Sequence, residues 1–112
     1  MNNIAQTFKN DKVLIPYITC GDPDLAVTAD VIKAVDQTGA DIIELGIPFS
    51  DPAGEPPIAQ RASARALKGG VTTDKVFSMA EKLQSEIKAP FVIMTYANVV
   101  FGYGTERFLK RC

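Results

Sequence analysis

The sequence has 112 residues, of which 46% are hydrophobic and 22% charged, with a net charge of −1, and this composition is typical of one soluble globular domain. Basic and acidic residues are interspersed, and no apolar run approaches the roughly 18 residues of a transmembrane helix, which argues against nucleic-acid and membrane partners. The N-terminus lacks the basic and apolar regions of a signal peptide, so we expect a cytoplasmic protein.

Strand and helix patterns alternate along the chain. A short amphipathic helix near residues 4–8 precedes an apolar run over 13–19 that is typical of a strand buried on both faces, although Pro16 cannot donate to its ladder. Asp22 or Asp24 is expected to cap the next helix. The remaining predicted elements are a strand over 41–47, a helix over 58–68, a helix capped by Thr72 or Thr73, a strand over 91–96 and a last helix from 104.

The alternation of strands and helices predicts an α/β fold with parallel strands and right-handed crossovers. One helix and three βα units are too few for a (β/α)8 barrel, which takes about 250 residues. We therefore expect residues 1–112 to form the N-terminal part of a TIM barrel, without its C-terminal half and phosphate site. The edges of the strands over 13–19 and 91–96 would be open, and open edges beside apolar faces favour self-association.

A carboxylate, Glu44, interrupts the apolar strand over 41–47. Because side chains alternate along a strand, Glu44 and Gly46 share one face and Ile43 lies on the other. A carboxylate in such a strand has to be desolvated, paired or functional, and on the strand alone a structural ion pair is an equal alternative to catalysis. Asp51 and Glu55 follow at the carboxyl end of this strand, where α/β enzymes place their chemistry.

Ordered motifs along the whole chain resemble the tryptophan synthase alpha subunit. The most specific is ELGIPFSDP at residues 44–52, nine residues that contain Glu44. The others are LIPYIT at 14–19 followed by GDP at 21–23, QRAS at 60–63, GVT at 70–72, MTYAN at 94–98 and FGYG at 101–104. Their order along the chain matches the order expected for this family.

The resemblance implies a lyase of tryptophan biosynthesis that cleaves indole-3-glycerol phosphate to indole and glyceraldehyde 3-phosphate by a retro-aldol reaction. Glu44 matches the catalytic acid–base that delivers a proton to the indole ring. Glu55 matches the second catalytic acid, which in the family is an aspartate in a Leu-Ala-Asp-Gly-Pro segment. Here the segment 53–57 reads AGEPP, so the acid is one methylene longer, and Pro56 restricts its backbone.

The resemblance also implies which residues bind substrate and partner. The side chains expected to line the indole pocket are Tyr17, Met94 and Tyr96, although core packing is the default for each on the strand pattern alone. The residues expected to face the beta subunit, in a heterotetramer, are Pro48, Asp51, Pro52, Asn98 and Phe101. On the residues alone, Asp51 is a turn and cap residue, and Asn98 and Phe101 simply form a loop. No cofactor is implied for this chain, because pyridoxal phosphate is expected only in the partner beta subunit.

The residue types present agree with carboxylate chemistry. A retro-aldol step can use a Schiff-base lysine or a metal, but no lysine lies within a predicted strand and the chain contains no histidine, so we expect no metal site. Cys20 and Cys112 are expected to be free thiols, and no base accompanies Cys20 as a nucleophile.

Two other functions stay open at this point. The altered segment 53–57 and the expected absence of a C-terminal half favour a non-catalytic, truncated or degenerate barrel that only associates with another chain. A different phosphate-binding barrel enzyme is a third interpretation, which the nine-residue motif at 44–52 opposes.

Overall fold

A computed structural model of the protein describes residues 3–112, so the predicted absence of a signal peptide rests partly on residues outside the described part. The elements in chain order are α1 (Asn3–Thr7), β1 (Tyr17–Thr19), α2 (Leu25–Gln37), β2 (Ile43–Gly46), α3 (Pro57–Lys68), α4 (Thr73–Leu83), β3 (Phe91–Met94), α5 (Ala97–Tyr103) and α6 (Thr105–Arg111). Among these helices, none is long and apolar enough to cross a membrane.

The three strands form one parallel sheet in the order β1-β2-β3, as predicted. Glu44, in the central strand, is aligned with Tyr17 on one side and with Val92 on the other. Gly46 is aligned in the same way with Thr19 and Met94. Within residues 3–112, the outer edges of β1 and β3 carry no further strand.

The first strand is shorter than the sequence predicts, because it begins at Tyr17 and not at residue 13. Pro16 has no N–H to donate, so the ladder is irregular before it. The chain is still held to its neighbour there, since Pro16 O accepts from Glu44 N at 2.9 Å and Leu14 O accepts from Asp41 N at 3.0 Å. The Asp41 carboxylate accepts from Leu14 N at 2.8 Å. A proline thus shortens the regular strand without detaching the segment.

The outer face of the sheet packs against the helices and forms the core. Ile43 and Leu45 of β2 are fully buried there, as their alternation with Glu44 predicts. They belong to one cluster with Ile32 of α2 and Val76 of α4. The apolar face of the sheet is therefore covered by helices, and the face that carries Glu44 is left for other contacts.

Two of the helices that follow turns begin at a side-chain cap. Asp24 accepts from Val27 N at 2.8 Å, which decides between the two predicted caps of α2. Asp22 instead accepts two hydrogen bonds of 2.9 Å from Arg65 of α3. Thr72 caps α4 by accepting from Lys75 N at 3.2 Å.

A short helix, α5, occupies the segment that is expected from the sequence to be a loop, so that expectation for Asn98 and Phe101 is wrong. Partial burial of apolar side chains against the core drives this helix, and Tyr103 at its end joins an aromatic cluster. In this cluster the Phe77 ring lies 5.1 Å from the Phe108 ring and 6.0 Å from the Tyr103 ring, between centroids. The cluster attaches α5 and α6 to α4.

One carboxylate links the first crossover helix to the last strand. Asp36, in the last turn of α2, accepts from Lys88 N at 3.1 Å and from Ala89 N at 2.9 Å. These two amides lie just before β3, where the backbone is not yet paired in the sheet. The start of β3 is therefore held by a helix 52 residues earlier in the chain.

Candidate active site

The inner face of the sheet carries most of the predicted site residues. Partners in a parallel sheet point to the same side, so the register puts Tyr17, Glu44 and Met94 on this face. Tyr17 is 39% exposed and Met94 is 46% exposed. Within residues 3–112, the side chains of both residues are therefore accessible on the face that Glu44 shares.

Tyr17 crosses from β1 over the central strand. A Cβ placed on Gly46 would lie 2.6 Å from Tyr17 Cζ, closer than carbon atoms approach in proteins. The ring therefore occupies the space that any side chain at position 46 would need. Gly46 is buried beneath it, and its lack of a side chain is what lets the tyrosine lie across β2.

The segment after β2, residues 51–56, forms an acid loop that folds back over the inner face. Two tyrosine hydroxyls contact it: Gly54 N donates to Tyr96 Oη at 3.1 Å, and Tyr17 Oη donates to Glu55 Oε1 at 3.5 Å. Gln60 Nε2 donates to the Glu55 backbone carbonyl at 2.8 Å. The acid loop is thereby held over the face of Glu44 by Tyr17 of β1 and by Tyr96, which follows β3.

The second oxygen of the Glu55 carboxyl group, Oε2, is buried and has no hydrogen-bond partner among the described residues. A buried polar atom without a partner costs about 1–3 kcal/mol, so such atoms are rare. In native proteins they commonly meet an ordered water, a bound ligand or a reacting group. This oxygen is therefore free of described protein donors and can accept a further hydrogen bond.

Several groups of the site shift the pKa of the Tyr17 hydroxyl. Partial burial of the ring raises the pKa of Tyr17, and the negative charges of Glu55 and Glu44 add to this increase, while a hydrogen bond with Thr19 acts in the opposite direction. Both carboxylates therefore act on one phenol, with Glu55 the larger of the two contributions.

A cavity of about 230 Å³ lies between the acid loop and β3. It is lined by Ile47, Phe49, Gly54, Glu55, Met94, Thr95 and Tyr96. The Phe49 and Tyr96 rings lie 5.3 Å apart between centroids and form part of its wall. Three predicted site residues meet here, whereas Glu44 and Tyr17 lie outside the lining. A larger cavity, of about 670 Å³, lies at the other end of the sheet beside Pro90 and Phe91.

The predicted interface residues differ in how accessible they are. Asp51, Asn98 and Phe101 are exposed, Pro52 is half-buried, and Pro48 is buried. A partner can reach the first four directly, whereas Pro48 supports the turn from inside.

Three other residues beside the site are not identified as functional from the sequence. Ile58, at the start of α3, is a strongly exposed apolar residue next to the acid loop. The sequence feature that could have identified it is its position directly after the paired prolines. Gly54 donates its backbone N–H to Tyr96, and Gln60 holds the Glu55 carbonyl. Gln60 belongs to the QRAS motif at 60–63, and this motif is the sequence feature that could have identified it. Among residues 3–112, no group of three or more cysteine, aspartate or glutamate side chains is arranged to hold a metal ion.

The fold and the site together define a class: TIM-barrel proteins that present carboxyl groups at the carboxyl ends of parallel strands. The particular family follows from comparison with known proteins. The chain belongs to the tryptophan synthase alpha chain family, whose model matches residues 4–112. This confirms the resemblance that the motifs predict. The family comprises lyases of tryptophan biosynthesis, its members need no cofactor, and pyridoxal phosphate belongs to the beta subunit.

The alignments with relatives and with solved structures extend over nearly the whole of this chain. The tryptophan synthase alpha chain of Alkaliphilus metalliredigens is 50% identical over 114 residues, which span 100% of this chain and 43% of that protein. That of Petrotoga mobilis is 47% identical over 109 residues, spanning 97% and 42%. The crystal structure of the alpha subunit from Legionella pneumophila str. Paris superposes with a TM-score of 0.93 at 38% identity, covering 99% of this chain and 45% of that one.

The chain therefore spans less than half the length of the curated relatives that it matches, and it matches their N-terminal part. The structural neighbours are TIM barrels, which confirms the predicted fold class. The three-stranded sheet described above corresponds to the first strands of such a barrel.

Proposed function

We propose that this chain supplies the two catalytic carboxyl groups for the cleavage of indole-3-glycerol phosphate to indole and glyceraldehyde 3-phosphate. The observation that carries the proposal is the pair of carboxylates over one sheet face, Glu44 and Glu55, of which Glu55 keeps a buried oxygen without a partner among the described residues. Membership of the tryptophan synthase alpha chain family supports the same reaction.

In the proposed reaction Glu44 is the general acid and then the general base. It protonates C3 of the indole ring, which makes the ring cationic and weakens the bond between C3 and the glycerol carbon. It next accepts the proton of the hydroxyl on that carbon, the carbon–carbon bond breaks, and its electrons return to the ring. One proton is given and one is taken back, so indole and the aldehyde leave with Glu44 restored.

Glu55 has the complementary role of stabilising the charge that develops on the ring. Protonation at C3 places positive charge on the indole nitrogen, whose N–H becomes a stronger hydrogen-bond donor. The buried oxygen of Glu55 is a suitable acceptor, because it is desolvated and its partner oxygen already contacts Tyr17. The cavity beside Glu55 has aromatic walls from Phe49 and Tyr96, which suit a flat apolar ring.

The same proposal includes a partner. Alpha chains of this family pair with a beta subunit, and we infer that Asp51, Pro52, Asn98 and Phe101 contact it in a heterotetramer. Phe101 is 68% exposed, which is unusual for a phenylalanine, and it lies on α5, directly after a strand of the site. A cytoplasmic location fits this biosynthetic role.

Fragment complementation tests the function. This chain is mixed with the C-terminal part of the Alkaliphilus metalliredigens alpha chain, and indole release from indole-3-glycerol phosphate is measured. We expect Glu44→Gln to lower kcat by about 10²–10⁴-fold, because glutamine keeps the size of the side chain but cannot transfer a proton. The matched control is Glu86→Gln, which changes an exposed carboxylate paired with Lys33 at 2.9 Å. Near-normal cleavage by Glu44→Gln would make Glu44 merely structural.

A second function is favoured by the altered segment 53–57, which reads AGEPP where the family carries Leu-Ala-Asp-Gly-Pro. In this function the chain only associates, with itself or with another barrel fragment, and catalyses nothing. Sedimentation velocity separates the two possibilities when it is run on the same mixture. Association without indole release would favour the second function, whereas a monomer at all concentrations would count against it.

A further inference from the structure

The contact between Tyr17 and Glu55 joins three parts of the site. Tyr17 belongs to β1, its ring lies across Gly46 of β2, and its hydroxyl reaches the acid loop that follows β2. The Tyr17 ring can lie across the central strand only at Gly46, because any other residue there would place a side chain in its way. The tyrosine hydroxyl is thereby brought to Glu55 and not to the solvent beside the edge strand.

We propose that Tyr17 is a positioning residue for Glu55: its hydroxyl binds one carboxyl oxygen and so leaves the other directed at the substrate. The consequence for catalysis rests on the function proposed above. The family resemblance implies that this aromatic ring contacts the indole pocket, although the ring lies outside the lining of the 230 Å³ cavity, and the hydroxyl has a separate role. The ring contributes apolar surface, and the hydroxyl sets the orientation of the acid.

The backbone conformation of Glu55 is already restrained, but its side chain can still rotate. Pro56 limits the backbone conformation, and Gln60 holds the carbonyl at 2.8 Å. A glutamate side chain still has three rotatable bonds, and a methylene more than aspartate gives it more orientations to choose from. Among the described residues, the Tyr17 hydroxyl is the one hydrogen-bond partner of this carboxyl group. Its loss would leave the acid without a defined orientation.

Titration of the Tyr17 phenol tests the contact without any assay of activity. The chain is labelled with ¹³C at the tyrosine Cζ atoms, and the three resonances are assigned by tyrosine-to-phenylalanine variants. Removing the Glu55 charge by Glu55→Gln should lower the pKa of Tyr17 by about half to one pH unit, the effect of a unit charge at hydrogen-bond distance in a largely aqueous surrounding. Glu86→Gln is the matched control and should leave the Tyr17 pKa unchanged.

A second measurement at neutral pH covers the case in which the chain unfolds in alkali. In Tyr17→Phe, the three-bond couplings between the β and γ protons of Glu55 should move to the averaged values of a freely rotating side chain. The couplings of Glu106, an exposed residue of α6, should not change. The proposal would be overturned if the Glu55 couplings were unchanged in Tyr17→Phe, or if the pKa of Tyr17 were unchanged in Glu55→Gln.

The complemented enzyme supplies the catalytic readout. Tyr17→Phe keeps the ring, so KM should stay within about twofold, whereas kcat should fall about tenfold because the acid is misplaced. A raised KM with kcat unchanged would mean that the hydroxyl binds substrate, and the proposal would be wrong. If the wild-type mixture released no indole, the proposed function would fail, but the two spectroscopic tests of the contact would still decide this inference.

Discussion

Replacing Phe77 should cost more stability than any other single aromatic substitution in the described part of the chain. Phe77 is 2% exposed and packs against the rings of Tyr103 and Phe108, with the Arg111 guanidinium 4.9 Å from its centroid. Truncating a buried phenylalanine to alanine costs about 3–5 kcal/mol. Natural domains are stable by about 5–15 kcal/mol in total, so Phe77→Ala is expected to remove a large fraction of the stability.

A milder variant keeps the prediction measurable. Phe77→Leu retains apolar volume and loses two ring pairs, each of about 0.5–1.5 kcal/mol, so its expected cost is about 1–3 kcal/mol. The matched control is Phe101→Leu, because Phe101 is an exposed ring and its loss should change stability by less than about 0.5 kcal/mol. Urea unfolding followed by circular dichroism gives both values. Equal shifts in the two variants would refute the view that this aromatic cluster attaches α5 and α6 to α4.

Two further predictions concern titratable groups. Burial raises the pKa of the Cys20 thiol to about 12, so at pH 8 only about one molecule in ten thousand carries its thiolate, and a disulfide reagent should modify Cys112 while Cys20 reacts only in denaturant. Equal labelling rates in the folded protein would contradict this. Hydrogen bonds from Arg65 hold the pKa of Asp22 below its usual range, so the pair contributes stability above the pKa of an unfolded aspartate, near 3.9. This contribution is lost as the pH falls through the lowered pKa of the folded state. The difference in unfolding free energy between the wild type and Arg65→Gln should therefore be larger at pH 7 than at pH 2, and a difference independent of pH would refute it.

The strand order and the division of the sheet into two faces were predictable because they depend on local patterns. Alternation around Glu44 indicates the buried face of β2, and the succession of strands and helices indicates the parallel sheet. The exact strand length was not predictable in the same way, since Pro16 removes one donor and the remaining pairing becomes irregular. Helix α5 was missed because its formation depends on packing against a core that the local sequence does not describe.

For the site, the candidate acids could be proposed from the sequence, but the groups that hold the acid loop could not. The family motif points to Glu44 and Glu55, and the register then brings Tyr17 and Met94 to the face of Glu44. The contacts that hold the acid loop join residues 38 and 42 positions apart, from Tyr17 to Glu55 and from Gly54 to Tyr96. Such pairs have no periodicity, so no local pattern reveals them, and the glycine at 46 carries no sign that a ring lies over it.

The Asp36 carboxylate has a consequence for how the length of this chain can vary during evolution. The start of β3 is held by hydrogen bonds from Lys88 N and Ala89 N to Asp36 of the earlier helix α2, in addition to its pairing with β2. The register of the strand is therefore expected to depend more on residues 88–91 than on the connection over residues 84–87. Insertions and deletions should be tolerated there, whereas one residue added between 88 and 91 would displace the strand from its partners. Homologous chains are accordingly expected to differ in length before position 88 and to keep a constant spacing after it.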